Sequence, residues 1–137
     1  AMKGKNPDCK VFGRSCPLLV PLVEEGWAGK RETKMILRRY LYPLKNQQLD
    51  TLILGCTHYS LLKHLIQPRI GRKVTLIDSS AETAAFLKVY LAENSIVQAN
   101  QSHEPRYNKY FTTDITARTT SVAQRFLGRQ IDLLPLQ

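Results

Sequence analysis

The chain has 137 residues, with 20 Lys and Arg against 11 Asp and Glu, a formal net charge of +9. A hydrophobic content of 43% with 23% charged residues excludes a disordered tail and suits one domain burying about 70% of its unfolded surface. No apolar run approaches the ~20 residues of a membrane span, no signal peptide opens the chain, and three cysteines cannot form a complete internal disulfide framework.

Ala1-Met2 has the form of a purification remnant ahead of a start methionine, and residues 1–10 are polar, lysine-rich and expected to be loose. A short strand is predicted over 9–12. Pro17 fits the first turn of a helix, where its missing N–H is not needed, and that helix should continue over 18–26. Residues 31–44 carry apolar side chains at helical spacing, with Pro43 at the fraying end. Leu37, Tyr40, Leu41 and Leu44 make the apolar stripe, while Lys30, Lys34 and Arg38 share a solvated one.

Residues 51–54 form a short apolar run closed by Gly55, the pattern of a buried strand in a parallel sheet. A short helix over 60–67 is stopped by Pro68 and Gly71. A second strand, 74–77, delivers Asp78 and Ser79 to its C-terminal end. Ser79 and Glu82 have capping-box spacing for a helix running to about residue 94. That helix is apolar on two sides, through Phe86, Val89 and Tyr90 and through Ala84, Leu87 and Leu91, so packing on both sides is expected. Residues 95–106 are polar and suit a linker. A strand over 107–112 follows, then a helix capped by Asp114 and ended by Gly128, with Ile115, Thr119, Val122 and Phe126 inward, then a last strand over 131–134. Alternating strands and helices argue for an α/β fold with a mainly parallel sheet flanked by helices.

In such sheets ligands bind at the carboxyl ends of strands. There, directly behind Gly55, stand Cys56, Thr57 and His58. Cys56 and His58 are two apart, so an extended backbone would point both to one side. A nearby base or cation raises the thiolate fraction of a cysteine. Cys16 and Cys9 are read as packing and without role, and His64 and His103 have no partners at useful spacing. No second pair of ligands stands at zinc-like spacing, so no metal is expected.

Three blocks, CPLLVPLVEEG at 16–26, GCTHY at 55–59 and LIDSSAETA at 76–84, with YFTTDITAR at 110–118 followed by AQRFLG, resemble glutamate racemases of the aspartate/glutamate racemase family. The resemblance covers nearly the whole chain from about Val11. Aspartate racemases usually carry an acidic residue where this chain has His58. The family's first half, with a second catalytic cysteine in a CNT-like motif, is not found in the chain, which resembles a C-terminal half. The resemblance implies an incomplete racemase-like lobe over 11–94, and a segment over 107–137 that would return to a missing first lobe.

It also implies cofactor-independent interconversion of L- and D-glutamate by two cysteine bases, for peptidoglycan synthesis in the cytoplasm, with the chain inactive alone. Cys56 would be one of the two thiols, His58 its assistant, Glu24 a carboxylate near that thiol and Thr57 a contact for the substrate carboxylate. A homo-oligomer is expected because surface meant for the first lobe would be left bare. Two other readings stay open. One is a Cys–His thiol hydrolase using Cys56 as nucleophile. The other is a non-catalytic basic binding module, although the basic residues are too scattered for nucleic-acid binding to be expected.

Overall fold

The computed structural model describes residues 2–96 and 108–136. The chain divides into two units, Ala1–Ser79 and Ser80–Gln137.

In the first unit, helix α1 is a single turn, Met2–Lys5, and α2 covers Leu19–Glu24. Helix α3, Arg31–Lys45, follows the predicted periodicity: Thr33, Leu37, Leu41 and Leu44 are buried and Lys34 and Arg38 are exposed. Buried Thr33 is satisfied by donating its hydroxyl to the Trp27 carbonyl at 2.7 Å. Strand β1, Thr51–Leu54, has the predicted bounds and pairs in parallel with β2, Thr75–Asp78. Between them lie a 3₁₀ helix, Thr57–Leu62, and α4, Lys63–Ile70. The helical stretch is therefore longer than predicted. Pro68 sits inside α4 rather than stopping it, because only one carbonyl a turn earlier goes without its usual partner. Gly71, at φ 123°, ends it.

The core of this unit gathers Leu19 and Val23 of α2, the α3 leucines, Leu54 of β1, and Leu62, Leu65, Ile66 and Ile70. It clamps α2, α3 and the strand ends together. The predicted strand over 9–12 is not found; residues 9–15 are irregular. A strand needs a neighbour, and the edge of β1 facing away from β2 carries none among the described residues.

Helix α5, Ser79–Glu93, starts at the last residue of the first unit, and Ser79 is its first helical residue rather than the cap that its spacing to Glu82 predicts. Ser79 is thus inside the helix, and its hydroxyl donates to the Leu54 carbonyl at 3.2 Å. None of α5 is buried, against the expectation of packing on two sides: Phe86 is 70% exposed. Among the described residues the chain supplies no second layer for it.

Strand β3, Tyr110–Thr112, pairs in parallel with β4, Leu133–Pro135. Helix α6, Ala117–Leu127, joins them, and Gly128 ends it at φ 66°. Its cap is Thr116, not Asp114: the Thr116 hydroxyl accepts from the Thr119 N–H at 3.0 Å. Thr119 and Val122 are half-buried, whereas Ile115 and Phe126 are exposed. The sheet is thus two separate parallel pairs, each with a helical crossover. The expected linker lies outside the described residues from 97 on, as do His103 and Tyr107.

Candidate active site

Cys56 leaves β1 with an extended backbone, φ −148° and ψ 136°, and caps the 3₁₀ helix. The Tyr59 N–H returns to its carbonyl at 3.0 Å, which fixes the turn that carries Thr57 and His58. Cys56 Sγ and His58 Nδ1 are 3.8 Å apart. The other ring nitrogen, Nε2, is 3.3 Å from Oε1 of Glu24, at the end of α2. Glu24 is held there because Leu19 and Val23 anchor α2 in the core, while Gly26, at φ 75°, turns the chain away behind it.

The geometry has a chemical consequence. A carboxylate at Nε2 favours the tautomer with its proton on that nitrogen, leaving the Nδ1 lone pair toward the thiol. The row thiol–imidazole–carboxylate can then take a proton from Cys56 and return it. All three side chains are partly open, with 22% exposure for His58 and 31% for Glu24, so a small substrate can reach them.

Three of the four residues singled out from the sequence, Cys56, His58 and Glu24, are therefore brought together. The fourth, Thr57, stands between Cys56 and His58 in the chain and is exposed.

A second polar group lies at the same strand ends. Asp78, 7% exposed, accepts from the Ser60 hydroxyl at 2.7 Å and pairs with Lys63 Nζ at 3.3 Å. Asp78 was legible as a strand-end residue, but its link to Ser60 and Lys63 had no sequence signal, since all three belong to different elements. Tyr59 also went unremarked: its hydroxyl donates to the Cys16 carbonyl at 3.3 Å. Burial pushes the Tyr59 phenol above its ordinary value, and the nearby Cys16, Cys56 and Tyr40 push it the same way. Burial also pushes the Cys16 thiol up, with Arg14 opposing. Cys16 packs against the core, in keeping with the packing role expected of it.

A cavity of about 770 Å³ does not include the thiol site; it runs along β1 between residues 9–16 and Tyr59. Among the described residues no group of three metal-ligating side chains converges, and no helix is long and apolar enough to cross a membrane.

No family model matches the chain. It is 40% identical over 131 residues to the glutamate racemase of Geobacter metallireducens, covering 96% of the chain and 48% of that relative. A glutamate racemase of Neisseria meningitidis is 38% identical over 136 residues, 99% of the chain and 49% of the relative. The chain thus spans about half the length of the curated relatives it matches. Among solved structures, glutamate racemase from Francisella tularensis in complex with D-glutamate superposes with a TM-score of 0.85 at 29% identity, over 99% of this chain and 50% of that one. A Bacillus anthracis glutamate racemase isoform gives a TM-score of 0.82 at 32% identity, with the same coverage. The chain is thus a homologue of glutamate racemases across about half of their length, in sequence and in fold.

Proposed function

We propose that this chain is the C-terminal portion of a cofactor-independent glutamate racemase and supplies one of its two thiol bases. The observation that carries the reading is the row Cys56–His58–Glu24 at the end of β1, in a chain whose relatives are glutamate racemases. Inverting an α-carbon without a cofactor needs one base on each face. The Cys56 thiolate takes the α-proton of one enantiomer while a thiol on the opposite face donates one, and the roles reverse in the other direction. His58 assists the thiol, and Glu24 positions His58. Thr57 contacts the substrate carboxylate.

The opposite thiol belongs to the half that the chain does not span, so this portion alone does not racemise. Residues 11–94 form part of the second lobe, and 107–137 return to the first. D-glutamate made by the completed enzyme would enter peptidoglycan synthesis in the cytoplasm.

The test is a chimera joining this chain to the N-terminal half of the Geobacter metallireducens racemase, assayed with L-glutamate in deuterated water for chirality and α-deuterium. The chimera is expected to racemise, and Cys56→Ser to lower the rate at least about a hundredfold with the fold retained. A Cys56→Ser chimera as fast as its parent would overturn the assignment.

A further inference from the structure

The 3₁₀ helix Thr57–Leu62 is six residues long and runs directly into α4. Runs longer than about four residues are uncommon, because their hydrogen bonds are poorer than those of an α-helix. No side chain caps this one at Cys56, so contacts outside the run hold its winding. Its far end is fixed by Leu62, fully buried in the core. Midway, the Ser60 hydroxyl donates to Oδ1 of Asp78, at the end of β2, at 2.7 Å. Oδ2 of the same carboxylate pairs with Lys63 Nζ at 3.3 Å. Among the described residues Asp78 is the one acidic side chain that is buried. Its backbone is held in the ladder opposite Leu54, whose carbonyl accepts from the Ser79 hydroxyl at 3.2 Å. A buried carboxylate is costly unless its oxygens are engaged. Here one engages the turn that carries His58, and the other the start of α4.

We infer that Asp78 is a positioning residue for the thiol site: through Ser60, and steadied by Lys63, it holds residues 57–62 in the 3₁₀ form and so keeps His58 between Cys56 and Glu24. A 3₁₀ helix advances about 120° per residue and an α-helix about 100°. If the run relaxed into an α-helix continuous with α4, His58 would turn by about 80° relative to the anchored Leu62, four residues on. That rotation would carry the imidazole away from its approaches of 3.8 Å to Cys56 and 3.3 Å to Glu24. Ser60 stands midway between His58 and Leu62, where a tether opposes the rotation most directly. Thr57, one 3₁₀ turn before Ser60, is fixed by the same bond. An apolar residue at 78 would fill the same space and give Ser60 nothing to bind, so packing alone does not account for the carboxylate.

The inference rests on the proposed role of Cys56 as a thiol base, and its test separates the two. The readout is the rate of Cys56 alkylation near pH 7.5 in the full chain, followed by mass spectrometry with exposed Cys9 as internal reference. Ser60→Ala removes the tether and leaves Asp78 in place. It is expected to slow Cys56 at least about fivefold with Cys9 unchanged. Asp78→Ala should do the same, and Asp78→Asn, which keeps an oxygen acceptor for the Ser60 hydroxyl, should recover most of the rate. Coupling to the imidazole distinguishes positioning from mere support. In a His58→Asn background, Ser60→Ala should change the Cys56 rate by less than about twofold, because the tether acts only through His58.

Ser60→Ala alkylated at the parent rate overturns the inference. So does an equal slowing in the His58→Asn background, which would make the bond a matter of general stability, and so does Asp78→Asn as slow as Asp78→Ala. Should Asp78→Ala fail to fold, the two Ser60→Ala measurements decide alone. The racemase reading is tested apart, in the chimera with the Geobacter metallireducens half. Coupled alkylation beside a chimera whose racemisation survives Cys56→Ser keeps the positioning role and removes the racemase reading. A chimera that racemises through Cys56, while Ser60→Ala leaves alkylation untouched, removes the positioning role alone.

Discussion

Oε1 of Glu24 lies 3.3 Å from Nε2 of His58, joining the end of α2 to the turn behind β1. Because the other nitrogen of the same ring faces Cys56, the carboxylate acts on the thiol only through the imidazole. Glu24 is therefore a positioning residue, and its removal should be felt in reactivity more than in stability. Glu24→Ala is expected to slow alkylation of Cys56 severalfold. Urea unfolding should change by less than about 1 kcal/mol, as for other partly exposed ion pairs. Unchanged alkylation would remove Glu24 from the row.

The three thiols should separate by environment. Cys16 is half-buried and burial pushes its thiol up, so less thiolate is available at neutral pH. Cys56 has an imidazole at 3.8 Å to take its proton, and Cys9 is exposed with no such neighbour among the described residues. Competitive alkylation near pH 7.5, read by mass spectrometry, should label Cys56 first and Cys16 last. His58→Asn should slow Cys56 selectively. Equal labelling of all three would count against the pairing.

Tyr59 makes stability fall with alkali. Its folded pKa lies above the unfolded phenol value of about 10. The folded state thus holds the proton more tightly, and the contribution is full below about pH 10 and lost as pH rises through the folded value. Tyr59→Phe should therefore show a shallower loss than the parent as pH rises above about 10. At pH 8 it should be less stable by about 0.5–1.5 kcal/mol, because the hydrogen bond to the Cys16 carbonyl is gone. Parallel stability–pH curves for the two proteins would contradict the assignment.

The C-terminal segment should drive association. Ile115, Phe126, Leu127 and Leu136 are all exposed, and α6 buries none of its residues fully. Such a surface favours a two-fold contact with a second copy through the same patch. Light scattering should give a larger mass for the full chain than for one ending near Asn100. Two monomers of equal core stability would show that the segment is not an assembly element.

The sequence by itself determined the elements whose partners are close in the chain. The stripe of Leu37, Leu41 and Leu44 needs only helical period to be seen, and β1 needs only an apolar run closed by glycine. The position of Cys56 and His58 at a strand end was legible for the same reason. Where local signals competed, they misled. Asp114 and Thr116 are both good caps, and only the backbone geometry chose Thr116.

Long-range partners were decided by tertiary structure alone. By local chemistry Glu24 and Glu25 are equivalent carboxylates, and in the sequence only the family resemblance singles out Glu24. What brings Glu24 to His58 is the burial of Leu19 and Val23, which sets the rotation of α2. The same holds for Asp78 with Ser60 and Lys63. It holds in reverse for residues 9–12, whose strand-like sequence stays irregular because a strand is a property of a pair. A residue's propensity is written locally, but a hydrogen bond or a buried contact needs a second surface, and only the folded chain shows which surfaces are present.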